Sequence, residues 1–137
     1  MSDLEKMKNW LISCPYLGAG VLHTEHTDAA PVSSGLYPLG MEIVKETGDV
    51  LGNRSQLCRY RFQLRQVVPE KGVDADRLMR LQNWVQECTE KPVFGDEPEK
   101  VRIRAENGQL RKASQTGTAM YTVDITAEFI KNYKENG

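Results

Sequence analysis

This chain has few of the residue types that usually carry chemistry or direct a protein out of the cell. Its 137 residues include two histidines and three cysteines, and its net charge is −1. Because a nearly neutral chain has no strong basic field, we expect no direct binding to nucleic acid. An odd number of widely spaced cysteines predicts buried free thiols in a reducing compartment. The chain also lacks a hydrophobic run of signal-peptide or membrane-spanning length, so we expect no contact with a membrane.

The histidines and one cysteine are the candidates for a catalytic or metal site. His23 and His26 stand three residues apart, and Cys14 precedes them. Imidazole and thiolate both suit zinc, and a cysteine–histidine pair can act as nucleophile and base. However, the histidines fall in an irregular segment, and Cys14 ends an apolar helical stripe just before a proline. The sequence therefore favours a protein with no catalytic, cofactor or metal site. A small enzyme or ligand-binding protein that uses these three residues is the alternative.

Two long segments alternate apolar and polar residues. From 58 to 68 the even positions are mostly apolar, and the odd positions include Arg59, Arg61 and Arg65. From 121 to 129 the odd positions are apolar, and the even positions include Asp124 and Glu128. Alternation of this kind predicts strands that bury one face. If the two strands are neighbours, their charged rows are complementary, through pairs such as Arg61 with Asp124. These five charged residues are the predicted partner interface.

The remaining elements follow from capping, periodicity and turn signals. Ser2 and Glu5 form a capping box, which predicts a helix over residues 1–14. Asp74 is a suitable N-cap for a second amphipathic helix, which should end near Thr89. The sequence further predicts a loop or arm over 16–35, a strand over about 39–46, a type I′ hairpin at Asn107-Gly108 between strands at 101–106 and 110–113, and a frayed tail over 131–137.

This order of elements predicts one domain, residues 1–137, of the α+β class. We expect a two-layer sandwich in which two helices cover one face of a mostly antiparallel sheet of four to five strands. The apolar faces should then share one core, formed by Leu11, Tyr60, Phe62, Leu64, Leu78, Leu81, Val85, Val123 and Ile125.

Several segments resemble a family of short prophage proteins of Gram-positive gut bacteria. The resemblance is carried by Phe94-Gly95-Asp96-Glu97-Pro98, by Asn107-Gly108 and by the run from Ala113 to Tyr121. The N-terminal helix, the segment Gly35–Pro38 and the strand Cys58–Phe62 are also similar, so the resemblance spans nearly the whole chain. Such proteins resemble the minor capsid and tail-terminator (tail-completion) proteins of long-tailed phages.

The resemblance implies a structural virion protein and not an enzyme. Such a subunit would contact copies of itself, in a hexameric ring, and would also contact phage tail-tube or head-connector proteins. It would be found in the host cytoplasm during assembly and afterwards in the virion, in the tail or at the head–tail junction. A closed ring needs complementary patches on each subunit, and the charged rows, a flexible loop from Tyr16 to Ser34 and open sheet edges are candidates for them.

Overall fold

The computed structural model describes residues 2–17, 22–24, 33–69, 75–113 and 118–134. These residues form two α-helices, α1 (Asp3–Ile12) and α2 (Ala75–Glu87), a short 3₁₀ helix at Pro98–Lys100, and five strands: β1 (Leu22–Thr24), β2 (Ser33–Gly48), β3 (Arg54–Pro69), β4 (Arg102–Ala113) and β5 (Thr118–Tyr133). The strands form a single sheet in the order β1-β2-β3-β5-β4. All neighbouring pairs are antiparallel except β1 with β2. The predicted α+β class is confirmed.

Three very long strands dominate the sheet. β2, β3 and β5 each contain 16 residues, whereas a typical strand has about 5–6. β3 pairs with β5 from Arg54 opposite Tyr133 to Pro69 opposite Thr118, with no change of register. At roughly 3.3 Å per residue these strands extend for about 50 Å.

Both helices cover the same face of this sheet, as predicted. The indole rings of Trp10 on α1 and Trp84 on α2 stack with their centroids 5.0 Å apart. The nine residues predicted to share a core do so: seven are buried, and Tyr60 and Leu78 are partly buried against them. Phe94, which precedes β4, adds a fully buried ring that meets Tyr60 and Phe129. Neither helix in the described ranges is long and apolar enough to cross a membrane.

The start of α1 agrees with the predicted cap. The Ser2 hydroxyl accepts a hydrogen bond from the Glu5 amide at 3.2 Å, and the helix begins at the next residue, Asp3. This bond satisfies one of the amide groups that a helix leaves unpaired at its N-terminus. The predicted cap of α2, Asp74, lies outside the described residues.

The predicted hairpin at Asn107-Gly108 is wrong. β4 runs through these residues, and the pairing with β5 passes from Glu106 opposite Asp124 to Gln109 opposite Thr122 across a bulge. Asn107 has φ of 55°, so the left-handed preference that favours a type I′ turn serves the bulge instead. Gly108 lies against α2, where an added Cβ would be 3.0 Å from the side chain of Leu78.

Other boundaries also differ from the sequence predictions. The segment predicted as a loop over 16–35 contains β1 and the first residues of β2, and its positions 18–21 and 25–32 lie outside the described residues. β2 begins at Ser33 because its first residues pair with β3. At the other end, Lys131 to Tyr133 pair with β3 and belong to β5, so that part of the predicted tail is strand.

Candidate partner interface on the open face and free edge of the sheet

The face of the sheet opposite the helices carries charges that alternate in sign from strand to strand. Glu42, Arg59, Glu128 and Arg102 lie opposite one another across β2, β3, β5 and β4. Arg59 Nη1 is 2.9 Å from Glu42 Oε1, and Arg59 Nη2 is 3.6 Å from Glu128 Oε1. The hydrogen bond that Arg59 donates to Glu42, together with the charges of the Glu128 and Glu42 carboxylates, raises the pKa of Arg59 above its ordinary value. The predicted attraction between the charged rows of β3 and β5 is therefore present between Arg59 and Glu128.

The predicted pair of Arg61 with Asp124 is wrong by two positions. The register places Arg61 opposite Thr126, and it places Asp124 opposite Gln63. Arg61 turns toward β2 instead, where its Nε lies 3.2 Å from Glu42 Oε1. Asp124 accepts hydrogen bonds from Gln63 Nε2 at 3.3 Å and from Asn107 Nδ2 at 3.2 Å.

The third predicted arginine is also held within the sheet. Arg65 Nε donates to Gln63 Oε1 at 2.6 Å, and its guanidinium group lies 4.1 Å from the centre of the Tyr37 ring. All five predicted interface residues therefore share one face, and each of them already has a polar or charged partner within the sheet. Arg61, with 55% of its side chain exposed, is the most accessible arginine of β3 among those in ion pairs.

A shallow concavity of about 340 Å³ lies on this open face. It is lined by both signs of charge, from Arg59, Arg61, Arg104, Glu106, Asp124 and Glu128. Small-molecule pockets are mostly apolar with a few polar groups. The lining of this concavity contains three arginines and three carboxylates, whose charges sum to zero. It therefore does not resemble a small-molecule pocket.

The sequence analysis named open sheet edges as candidate patches, but it did not identify the outer edge of β2. β1 pairs with β2 only from Ser34 to Leu36. Among the described residues no strand lies along the outer edge of β2 from 37 to 48. This stretch exposes four apolar side chains, by the following fractions: Leu39 54%, Met41 47%, Ile43 51% and Val44 44%. Two bulges interrupt it, one between Pro38 and Gly40 and one between Ile43 and Lys45.

The turn between β2 and β3 carries two further apolar side chains into solvent. Asp49 Oδ1 accepts from the amides of Leu51 and Asn53 at 2.9 and 3.0 Å, and Asp49 Oδ2 accepts from Asn53 Nδ2 at 3.1 Å. The hydrogen bond from the Asn53 side chain, joined by those from the two amides, lowers the pKa of Asp49. The turn is thus well braced, yet Val50 is 101% exposed and Leu51 is 75% exposed.

The candidate catalytic or metal residues are only partly described. Cys14 is buried, and burial raises the pKa of its thiol above the ordinary value. A raised pKa keeps the thiol protonated, which disfavours the thiolate that a nucleophile requires. The backbone of His23 lies in β1 opposite Gly35, and His26 lies outside the described residues. Within the described ranges no three histidine, cysteine or acidic side chains gather into a metal-binding group.

Comparison with known proteins adds no family: no family model and no curated protein matches this chain.

The surfaces best suited to a partner are the free edge of β2, defined as residues 39–48, and the hairpin tip, defined as Val50 and Leu51. A sequence signal for the edge exists, since residues 39 to 44 are mostly apolar without strict alternation. Such a run is also typical of a buried strand, so the sequence alone does not distinguish the two.

Proposed function

We propose that this protein is a structural subunit of a prophage virion, of the tail-terminator (tail-completion) or minor capsid type, and that it acts at the head–tail junction by assembly. The main support is the free edge of β2. Proteins usually shorten, charge or cover an edge strand, because its unpaired backbone groups invite another chain. This edge carries the charged residues Glu42, Lys45 and Glu46 and two bulges, yet it remains long and exposes four apolar side chains, which is typical of a surface that a partner covers.

The energetics of this edge favour a protein partner. Full burial of a valine, leucine, isoleucine or methionine side chain contributes roughly 1.5–3 kcal/mol relative to full exposure. Leu39, Met41, Ile43 and Val44 are each about half exposed. A partner that covers all four therefore gains several kcal/mol, before the backbone hydrogen bonds of strand addition are included.

The hairpin tip supports the same function. A braced turn that holds Val50 and Leu51 in water loses little conformational entropy when a partner buries them. Such a projection suits insertion into an apolar recess of a tail-tube or head-connector protein. The hexameric ring implied by the sequence resemblance remains part of this proposal.

Deletion of the gene from an inducible prophage tests the function. If the protein completes tails, electron micrographs of the induced deletion strain will show unjoined heads and tails of abnormal length. Complementation with the unaltered gene should restore joined, infectious particles. Normal infectious particles from the deletion strain would refute the tail-completion proposal.

A pair of variants then tests the hairpin tip. Serine at both Val50 and Leu51 should leave folding nearly intact, because surface substitutions usually change stability by only about ±0.5 kcal/mol. We expect this variant to fail in complementation if the tip docks on a partner. Met79→Ser removes an exposed apolar side chain from α2 and is the matched control. Equal complementation by the two variants would exclude the tip as a docking element.

A further inference from the structure

We propose that the free edge of β2 is the site at which two copies of this chain pair, antiparallel, about a two-fold axis between Ile43 and Val44. The inference rests on the proposed function only in its premise that the subunit acts by assembly. It names the partner of this edge as a second copy of the same strand, which extends the sheet across the dimer.

The available length of the edge fixes the centre of such a pairing. Toward the start of β2, Pro38 has no amide hydrogen to donate, and β1 occupies the edge up to Leu36. At the other end the strand stops at Gly48, before the Asp49 turn. Among the described residues, the part of this edge that neither β1 nor the proline occupies is therefore 39–48, and its midpoint falls between Ile43 and Val44.

The bulge at this midpoint gives the edge an unusual arrangement of side chains. Glu42 lies opposite Arg59, and Lys45 lies opposite Leu57. Alternate residues of a strand point to the same face, so Arg59 and Leu57 share the open face of the sheet. Glu42 and Lys45 consequently share that face too, although three positions separate them. Ile43 lies opposite Cys58, which is buried on the helix-covered side.

This arrangement is complementary to itself. Residues that face each other in an antiparallel pair point to the same side of the sheet. When two copies pair about the midpoint, Glu42 of each copy faces Lys45 of the other, and both lie on the open face. Ile43 of each copy then faces Val44 of the other. Two oppositely charged pairs thus flank a cluster of four apolar side chains.

Neighbouring registers lack this complementarity. A shift of one position in one direction places Glu42 opposite Val44, and a shift in the other direction places it opposite Glu46. The second sheet edge is also a poor alternative: Gln82 Nε2 of α2 donates to the carbonyl oxygen of Ala105 on β4 at 3.2 Å. Among the described strands, β2 therefore offers the less obstructed edge for addition of a strand.

Charge reversal tests whether Glu42 of one copy pairs with Lys45 of the other. In sedimentation-velocity runs from about 1 to 200 µM, the unaltered protein should convert from monomer to dimer. Glu42→Lys and Lys45→Glu should each weaken the dimer about tenfold or more, because each places like charges opposite one another. An equimolar mixture of the two variants should form a heterodimer, since every charged pair across that interface is again of opposite sign. Native mass spectrometry with one variant carrying a mass tag identifies the heterodimer.

Folding controls keep this test decisive. Glu42 also contacts Arg59 and Arg61 within one copy, so thermal melting of each variant is measured first. If Glu42→Lys does not fold, Val44→Lys replaces it, because a lysine on an edge strand opposes pairing without removing an ion pair. Val44→Lys should be monomeric throughout the concentration range. Met79→Lys, on exposed α2 surface, should dimerise like the unaltered protein.

Several results would overturn the pairing. These are a monomeric unaltered protein at the highest concentration, a dimer that Lys45→Glu or Val44→Lys leaves unchanged, and folded charge variants whose mixture stays monomeric. None of these results bears on the tail-completion role, which the particles of the deletion strain decide. Conversely, the deletion strain could produce normal particles while the dimer behaves as expected. That combination would refute the tail-completion role and support the pairing.

Discussion

Replacing Gly95 by alanine should strongly destabilise the protein, because this residue fixes the loop before β4 to the end of β5. Gly95 has φ of +73°, and an added Cβ would lie 2.3 Å from the carbonyl oxygen of Ile130. The same oxygen accepts a hydrogen bond from the Asp96 amide at 2.8 Å. Asp96 Oδ2 in turn accepts from the Asn132 amide at 2.7 Å. The loop therefore continues the edge of β5 where the pairing of β4 with β5 ends, at Glu128.

Three effects contribute to the expected loss. A left-handed conformation costs a residue with a Cβ roughly 1–2 kcal/mol. Forcing an extra methyl group into a packed site costs typically about 1–3 kcal/mol. The shift that relieves the contact also weakens the Asp96 hydrogen bond, which is worth about 0.5–1.5 kcal/mol. Together they lower the free energy of unfolding by about 3–6 kcal/mol, a large part of the roughly 5–15 kcal/mol of an ordinary domain.

Urea denaturation measures this loss, and Gly40→Ala is the matched control. Gly40 also has a left-handed conformation, with φ of +106°, but an added Cβ there meets nothing within 4 Å. Gly40→Ala should lower the free energy of unfolding only by the cost of a left-handed backbone conformation, about 1–2 kcal/mol. The difference between the two variants isolates the contact with β5. Equal losses would refute the argument that the close approach of Gly95 to Ile130 holds the loop in place.

Four other experiments have defined expected results. Phe62→Ala, in the core, should lower the free energy of unfolding by about 3–5 kcal/mol, and an unchanged urea midpoint would contradict the assignment of the buried face. Asp49→Ala should lower the melting temperature at neutral pH. Because folding lowers the pKa of Asp49, its contribution is present above the unfolded pKa of about 3.9 and is lost as the pH falls through the folded pKa. The difference from the unaltered protein should therefore shrink in acid, and a constant difference would contradict this. Iodoacetamide should modify Cys88, which is partly exposed, before the two buried cysteines, as peptide mass spectrometry can show. Arg59→Ser should lower the melting temperature more than Arg61→Ser, because among the described residues Arg59 joins two carboxylates and Arg61 joins one; added salt should reduce this difference.

The sequence predicted the buried faces well because the responsible signals are local. Alternation in β3 and β5 is nearly uninterrupted, so parity alone assigns Phe62 and Ile125 to the core and Arg59 to the open face. The start of α1 is equally local, since the Ser2 hydroxyl bonds an amide three residues away. Such features depend on nearby residues and not on the partner strand.

The errors concern features that only tertiary contacts decide. Asn107-Gly108 favours a left-handed conformation, which both a type I′ turn and a bulge can use. In the folded chain β4 continues along β5 and Gly108 lies against Leu78 of α2, and neither contact can be seen in the few residues around Asn107. The pairing register is a property of two strands together. For that reason the sequence correctly predicted attraction between two charged rows but placed Arg61 opposite the wrong residue.

The same distinction explains why the charged rows are a weaker candidate interface than the apolar edge. A charge on a strand is conspicuous in a sequence, whether or not its neighbour neutralises it. In the folded sheet Arg59 and Arg65 already have partners, and breaking such contacts in order to bind elsewhere offsets much of what the new contact gains. The apolar side chains of the free edge are about half exposed and have no ion pair to lose when a partner covers them. Ile43 and Val44 therefore offer a partner more net stabilisation than the arginines beside them, and a strand of matching pattern is the partner that can also satisfy the free backbone groups of β2.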